Sequence, residues 1–144
     1  MAEFSKSSRD KLETAHEDLQ TLFNEVIKYF DCTVVYGHRT PEKQNELYQQ
    51  GRTLPGGIVT FKDGYKKLSK HNYYPSLAVD AVPYPIDWDD EERMTYFAGV
   101  VIGIAKMLKE QGKIKNDIVW GADWDSDTFI KDESFVDKPH FQIK

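Results

Sequence analysis

The stretch "SKHNYYPSLAVDAVPYP", residues 69 to 85, constrains this chain more than any other. Its Ala-Val run reads as a strand, and that apolar strand ends on an acidic residue, Asp80. An ionised carboxylate taken out of water needs a partner or a metal. His71, one of only four histidines in the chain, lies just upstream in a polar, proline-broken loop. The stretch therefore asks for a cation.

The elements around it follow from periodicity. Leu12, Ala15, Leu19, Leu22, Phe23, Val26, Ile27 and Phe30 recur at helical spacing with charged residues between them, which predicts one amphipathic helix over about residues 8–30. "CTVVYG" switches to a β-branched run and predicts a buried strand ended by Gly37. Thr40-Pro41 supplies an N-cap followed by proline at the first helical position, and the short helix it opens stops at Gly51. Residues 52–70 carry no strong period and read as an extended loop or hairpin able to line a site. After "LAVDAV", Asp89 and Glu92 form a capping-box pattern, and the stripe from Met94 to Leu108 predicts a helix ending near Gly112. "DIVWGADW" and "HFQI" are short strand candidates. Helices at the start and middle with short strands between them predict an α+β fold, a small sheet with helices packed on it.

At 144 residues the chain suits a single domain, residues 1–144, without room for a separate wall-binding module. The net charge of −5 and the scattered Lys and Arg leave no basic stripe, so nucleic acid is not an expected partner. The amino terminus mixes charges from residue 3 onward and lacks the pattern of a secretory signal peptide. The apolar run from Phe97 to Leu108 is broken by Gly99, Gly103 and Lys106, so no membrane span is expected. Cys32 is the lone cysteine, which excludes an internal disulfide and reads as a buried, inert thiol.

The polar residues at strand edges carry the chemistry. His71, Asp80 and His140 make a three-ligand set suited to one catalytic Zn²⁺ per chain, with a fourth position left for water; closed structural sites usually recruit several cysteines, and this chain has only Cys32. In "DKPHFQ", Asp137 lies three residues before His140, where a carboxylate can sit beside a metal-activated water and move its proton.

"GHRTPEKQNELYQQGRT", "SKHNYYPSLAVD" and "DKPHF" together resemble the M15 family of zinc peptidases. That family includes the VanY and VanX type D-alanyl-D-alanine peptidases and the phage endolysins that act as L-alanyl-D-glutamate endopeptidases. The resemblance covers residues 33–142, and Ser69, His71, Ala78, Asp80, Asp137 and His140 fill its motif positions. It implies the hedgehog/D-Ala-D-Ala-peptidase-like fold, zinc on His71, Asp80 and His140, Asp137 as catalytic base, and Arg39 as the arginine that grips a substrate carboxylate or steadies the oxyanion. The separation of His71 and Asp80 is longer than the family's commoner spacing, and Ser76 stands where glycine is usual. Tyr73-Tyr74 accommodates the extra length as a loop bulge.

The resemblance and the absence of a signal point to a phage or prophage endolysin cutting peptidoglycan stem peptides. Such an enzyme is made in the host cytoplasm and reaches the wall once a holin opens the membrane; a monomer is expected. A D-alanyl-D-alanine carboxypeptidase or dipeptidase would use the same residues. A non-catalytic zinc-binding module is the alternative from another class, and Asp137 argues against it. Plainer roles exist residue by residue. His16 reads as a solvated helix histidine, His38 as a packing or hydrogen-bonding group beside Arg39, and Arg39 itself could make a surface salt bridge. Ser69 reads as a hydrogen-bonding group for the loop or substrate, since no base is paired with it. "DWDSD" has the alternating acids of a calcium loop, yet Thr128 replaces the turn glycine and Ser134 falls where the closing glutamate belongs. Trp120 and Trp124 read as core residues in preference to a sugar platform.

Overall fold

Four short strands form one antiparallel sheet in the order β1-β2-β4-β3, in a computed structural model that describes residues 2–144. The strands are β1 (Cys32–Tyr36), β2 (Ala78–Pro83), β3 (Ile118–Trp120) and β4 (His140–Ile143). The helices are α1 (Lys6–Leu12), α2 (Glu17–Val26), α3 (Pro41–Gln49) and α4 (Glu91–Glu110). This is the expected α+β single domain. No helix among the described residues is long and apolar enough to cross a membrane.

The sheet has two faces because side chains alternate along a strand. Val79 and Ala81 of β2 join the core with Leu19, Leu22, Phe23 and Val26 of α2 and Phe97, Val101 and Leu108 of α4. Phe141 of β4 is fully buried there, its ring centroid 5.6 Å from Phe23 and 6.2 Å from Phe97, both edge-on. Asp80, between Val79 and Ala81, belongs to the other face, which forms a cleft. Asp80 is thus the third residue of its strand, not its end.

The single helix expected over residues 8–30 is two helices, α1 and α2, with a break at Thr14–His16. The apolar stripe persists, but the backbone groups at the break pair elsewhere. Ser76 N–H donates to the Thr14 carbonyl (2.9 Å) and His16 N–H donates to the Ser76 carbonyl (2.8 Å). His16 is the N-cap of α2, its Nδ1 accepting from Asp18 N–H at 3.0 Å, and so does more than face solvent. The cap of α4 is Asp90, one residue beyond the expected Asp89, accepting from Arg93 N–H. Gly112 follows α4 at φ 73°, the left-handed geometry that glycine adopts at helix ends. Residues 52–68 contain no strand longer than an isolated bridge and form one wall of the cleft.

Candidate metal centre and its cleft

Strand register brings the site together. Asp80 pairs directly with His140 across β2 and β4, and with Tyr36 across a bulge in β1. His71 arrives from outside the sheet on a short 3₁₀ turn, Lys70–Asn72, which Ser69 caps. The Ser69 hydroxyl accepts from His71 N–H (3.2 Å), and Asn72 Oδ1 accepts from Ser69 N–H (2.8 Å). Asn72 also donates to the Arg39 carbonyl, and Arg39 N–H donates to the His71 carbonyl (2.8 Å), so the two segments are stitched to each other.

Each imidazole is oriented by its outer nitrogen. His71 Nδ1 lies 2.8 Å from the Gly37 carbonyl, which only accepts, so the proton sits on Nδ1 and the Nε2 lone pair points to Asp80. His140 Nε2 donates to Gln142 Oε1 at 2.8 Å, turning its Nδ1 lone pair inward. Asp80 Oδ1 stands 3.2 Å from His71 Nε2 and 3.3 Å from His140 Nδ1. Two lone pairs and a carboxylate oxygen this close repel one another unless a cation lies among them. Donors about 2.0–2.1 Å from a tetrahedral centre stand about 3.3 Å apart, so the spacing and the nitrogen-oxygen donor set suit a zinc-type ion. The three donor atoms all lie within 4.8 Å of one another.

In the metal-free protein a proton on an inward-facing imidazole nitrogen can take the cation's place beside Asp80. Burial resists charge on Asp80, but the charges and hydrogen bonds of His71 and His140 hold its carboxyl well below the usual range. Burial likewise resists charge on His140, yet Asp80 and Asp137 raise its pKa. Asp137 Oδ2 lies 3.9 Å from His140 Nδ1. Burial and the charge of Asp80 push its pKa up to about 6, against the pull of His140, His71 and Arg39.

Arg39 is buried, not part of a surface ion pair. Its Nη2 donates to Asp80 Oδ2 at 3.3 Å, its Nη1 to Gln44 Oε1 at 2.8 Å, and its guanidinium carbon lies 4.3 Å from the Tyr36 ring centroid. Its Nε is a buried donor with no protein partner among the described residues. Such an orphan is costly unless a ligand acceptor meets it.

All six site residues read from the sequence, Arg39, Ser69, His71, Asp80, Asp137 and His140, line one cleft of about 650 Å³. Trp88, Phe61, Trp124 and Phe135 line it too. Trp120 is a core residue as expected, but Trp124 is not: it lies 5.4 Å from the His140 ring and stacks near-parallel on Phe135. His38 lies outside the cleft lining, hydrogen-bonded to the Tyr73 carbonyl and edge-on to Tyr74. Gln142 and Gln44 were not singled out from the sequence. The first was legible as the residue two beyond His140 on the same strand face; the second had no local signal. In the acidic loop, Asp123, Asp125, Asp127 and Glu133 converge. Glu133, next to the Ser134 that spoiled the calcium spacing, supplies the fourth carboxylate. Ser126 and Thr128 take the left-handed turn conformations, at φ 56° and 75°, without a glycine.

The model of the phage L-alanyl-D-glutamate peptidase family matches residues 1–144. The chain belongs to that family. Among its relatives, the peptidoglycan L-alanyl-D-glutamate endopeptidase CwlK of Bacillus subtilis (strain 168) is 31% identical over 124 residues, 81% of this chain. The chain spans 62% of the length of that relative. The crystal structure of the Serratia marcescens L-Ala D-Glu endopeptidase ChiX superposes with a TM-score of 0.66 over 98% of this chain and 89% of that one, at 23% identity. ChiX shares the fold of this phage-peptidase family member.

Proposed function

We propose that the protein is a zinc peptidase that hydrolyses the L-alanyl-D-glutamate bond of peptidoglycan stem peptides, and that it serves as the endolysin of a phage or prophage. The observation that carries this reading is the convergence of His71 Nε2, Asp80 Oδ1 and His140 Nδ1, with Asp137 beside them, in a chain of this family. Zinc held by those three residues would supply a Lewis acid that polarises the scissile carbonyl and acidifies water.

The protein's own groups do the rest. Asp137, in the cleft beside His140, accepts the proton of the attacking water and returns it to the leaving amine. Arg39, held in plane by Asp80 and Gln44 at the cleft wall, offers its guanidinium charge to a stem-peptide carboxylate and orients the bond. Phe61, Trp88, Trp124 and Phe135 supply apolar walls against which a stem peptide can pack. Single-domain organisation over residues 1–144, action as a monomer, and access to the wall through a holin-opened membrane complete the proposal.

Incubating the zinc-loaded protein with purified Gram-negative sacculi, and reading the new termini by mass spectrometry, tests it. New amino-terminal D-glutamate, abolished by chelator, is the expected result. Release of D-alanine alone would reassign the protein as a carboxypeptidase, and no cleavage despite bound zinc would make it a binding module. Asp137→Ala should retain zinc and lose turnover by two orders of magnitude or more.

A further inference from the structure

Gln44 is fully buried in the first turns of α3 although nothing in its own helix needs a polar side chain there. Its amide has three partners, and they allow one orientation. Arg39 Nη1 can only donate, so the oxygen faces it at 2.8 Å. The Lys62 carbonyl can only accept, so the NH₂ faces it at 2.9 Å, and the same NH₂ reaches Thr60 Oγ1 at 3.2 Å. One side chain therefore ties the buried arginine to the wall formed by residues 59–62. Neighbouring contacts press that wall onto the helix. Asn45 Nδ2 donates to the Asp63 carbonyl at 3.0 Å, and a Cβ on Gly64 would lie 2.7 Å from the Pro41 carbonyl and 2.9 Å from Gln44 Cβ. The wall carries Phe61, whose ring meets Phe135 edge-on at 5.3 Å across the cleft.

We propose that Gln44 is a positioning residue that holds the Arg39 guanidinium in the plane needed for a substrate carboxylate and couples that grip to the Val59–Lys62 wall. An arginine with Nη1 and Nη2 both committed is held against rotation about its terminal bonds, so its guanidinium meets the cleft it lines in one orientation. Freed from Gln44, the same guanidinium keeps its charge and its Asp80 contact but loses that orientation. Gln44 touches no reacting atom and acts through Arg39.

The kinetic test rests on the peptidase reading; the spectroscopic one does not. Gln44→Met, of similar volume and without hydrogen bonds, should lower kcat/KM on stem peptide ten-fold or more, chiefly through KM, while zinc content stays at one per chain. In an Arg39→Ala background the same change should cost less than two-fold. An equal loss in both backgrounds would show a merely structural role and overturn the proposal. Side-chain NMR of the wild-type protein should show resolved, slowly rotating Nη protons for Arg39, and the Gln44→Met protein averaged ones. Averaged Arg39 signals in the wild type would overturn the proposal even if the variant failed to fold. A wild type that cuts no stem peptide would defeat the peptidase reading and leave the spectroscopic result to decide this one.

Discussion

Gly121→Ala should damage the site from behind. Gly121 follows β3, where its N–H donates to the His140 carbonyl (2.8 Å) and its carbonyl accepts from Asp137 N–H (2.6 Å). A Cβ there would fall inside the van der Waals shell of the Asp137 carbonyl oxygen and only 2.9 Å from His140 Cβ. Carbon atoms rest about 3.5–4.0 Å apart, so the strand carrying His140 must retreat by roughly 0.5–1 Å. The obstacle is backbone, not a flexible side-chain tip, which puts the cost near the upper end of overpacking, about 3 kcal/mol. The same shift acts on donors 3.3 Å apart, Asp80 Oδ1 and His140 Nδ1, and a 1 Å misplacement in a catalytic array costs about 100-fold. Urea unfolding of the metal-free protein gives the first number, and zinc competition with a chromophoric chelator together with sacculus cleavage gives the second. Unfolding free energy within about 0.5 kcal/mol of wild type, with unchanged zinc affinity, would refute the argument that Gly121 is there for close approach.

Asp80→Ala should abolish zinc retention, read by elemental analysis. It should also destabilise the metal-free protein by about 3 kcal/mol, because Arg39 is left as a buried charge without its partner. Asp18 is buried, but the Asn116 side chain and the Lys115 and Asn116 amides outweigh that burial and hold its carboxyl below the usual range. Its contribution is therefore complete above the unfolded carboxyl pKa of about 3.9 and lost as pH falls through the lower folded value. Asp18→Asn should cost about 2–3 kcal/mol at neutral pH in denaturant titrations, with the gap to wild type closing under acid. Burial, helped by the charge of Asp31, pushes the Cys32 thiol up to about 12, so it should resist a thiol-reactive dye in the native state and react fully in denaturant.

Much of the local architecture is legible from periodicity. The β-branched run after Asp31, the Thr40-Pro41 cap and the stripe of α4 each depend on neighbours a few residues away, and the structure has them at or within about a residue of their expected places. The stripe from Leu12 to Phe30 shows where such reading stops. Its apolar spacing suits one helix and also suits two helices packed on the same core. The choice lies with Ser76, far along the chain, whose backbone takes the hydrogen bonds that a continuous helix would have made around Thr14 and His16. Trp124 misleads in a similar way, since an aromatic residue after a strand is as able to wall a cleft as to fill a core.

The sequence by itself determined the donor chemistry. Two histidines and a carboxylate without cysteines, a second carboxylate near the last histidine and an arginine before a capped helix are facts of residue type and spacing. Only the tertiary structure decided how they act. Which nitrogen of each imidazole faces Asp80 depends on Gly37 and Gln142, the burial of Arg39 depends on Gln44 and Tyr36, and the pairing of Asp80 with His140 depends on the register of β2 against β4. Residue types and short-range periods are written in the order of the chain. Lone-pair direction, burial and register arise from hydrogen bonds between segments far apart in that order, and they exist only once the sheet has closed.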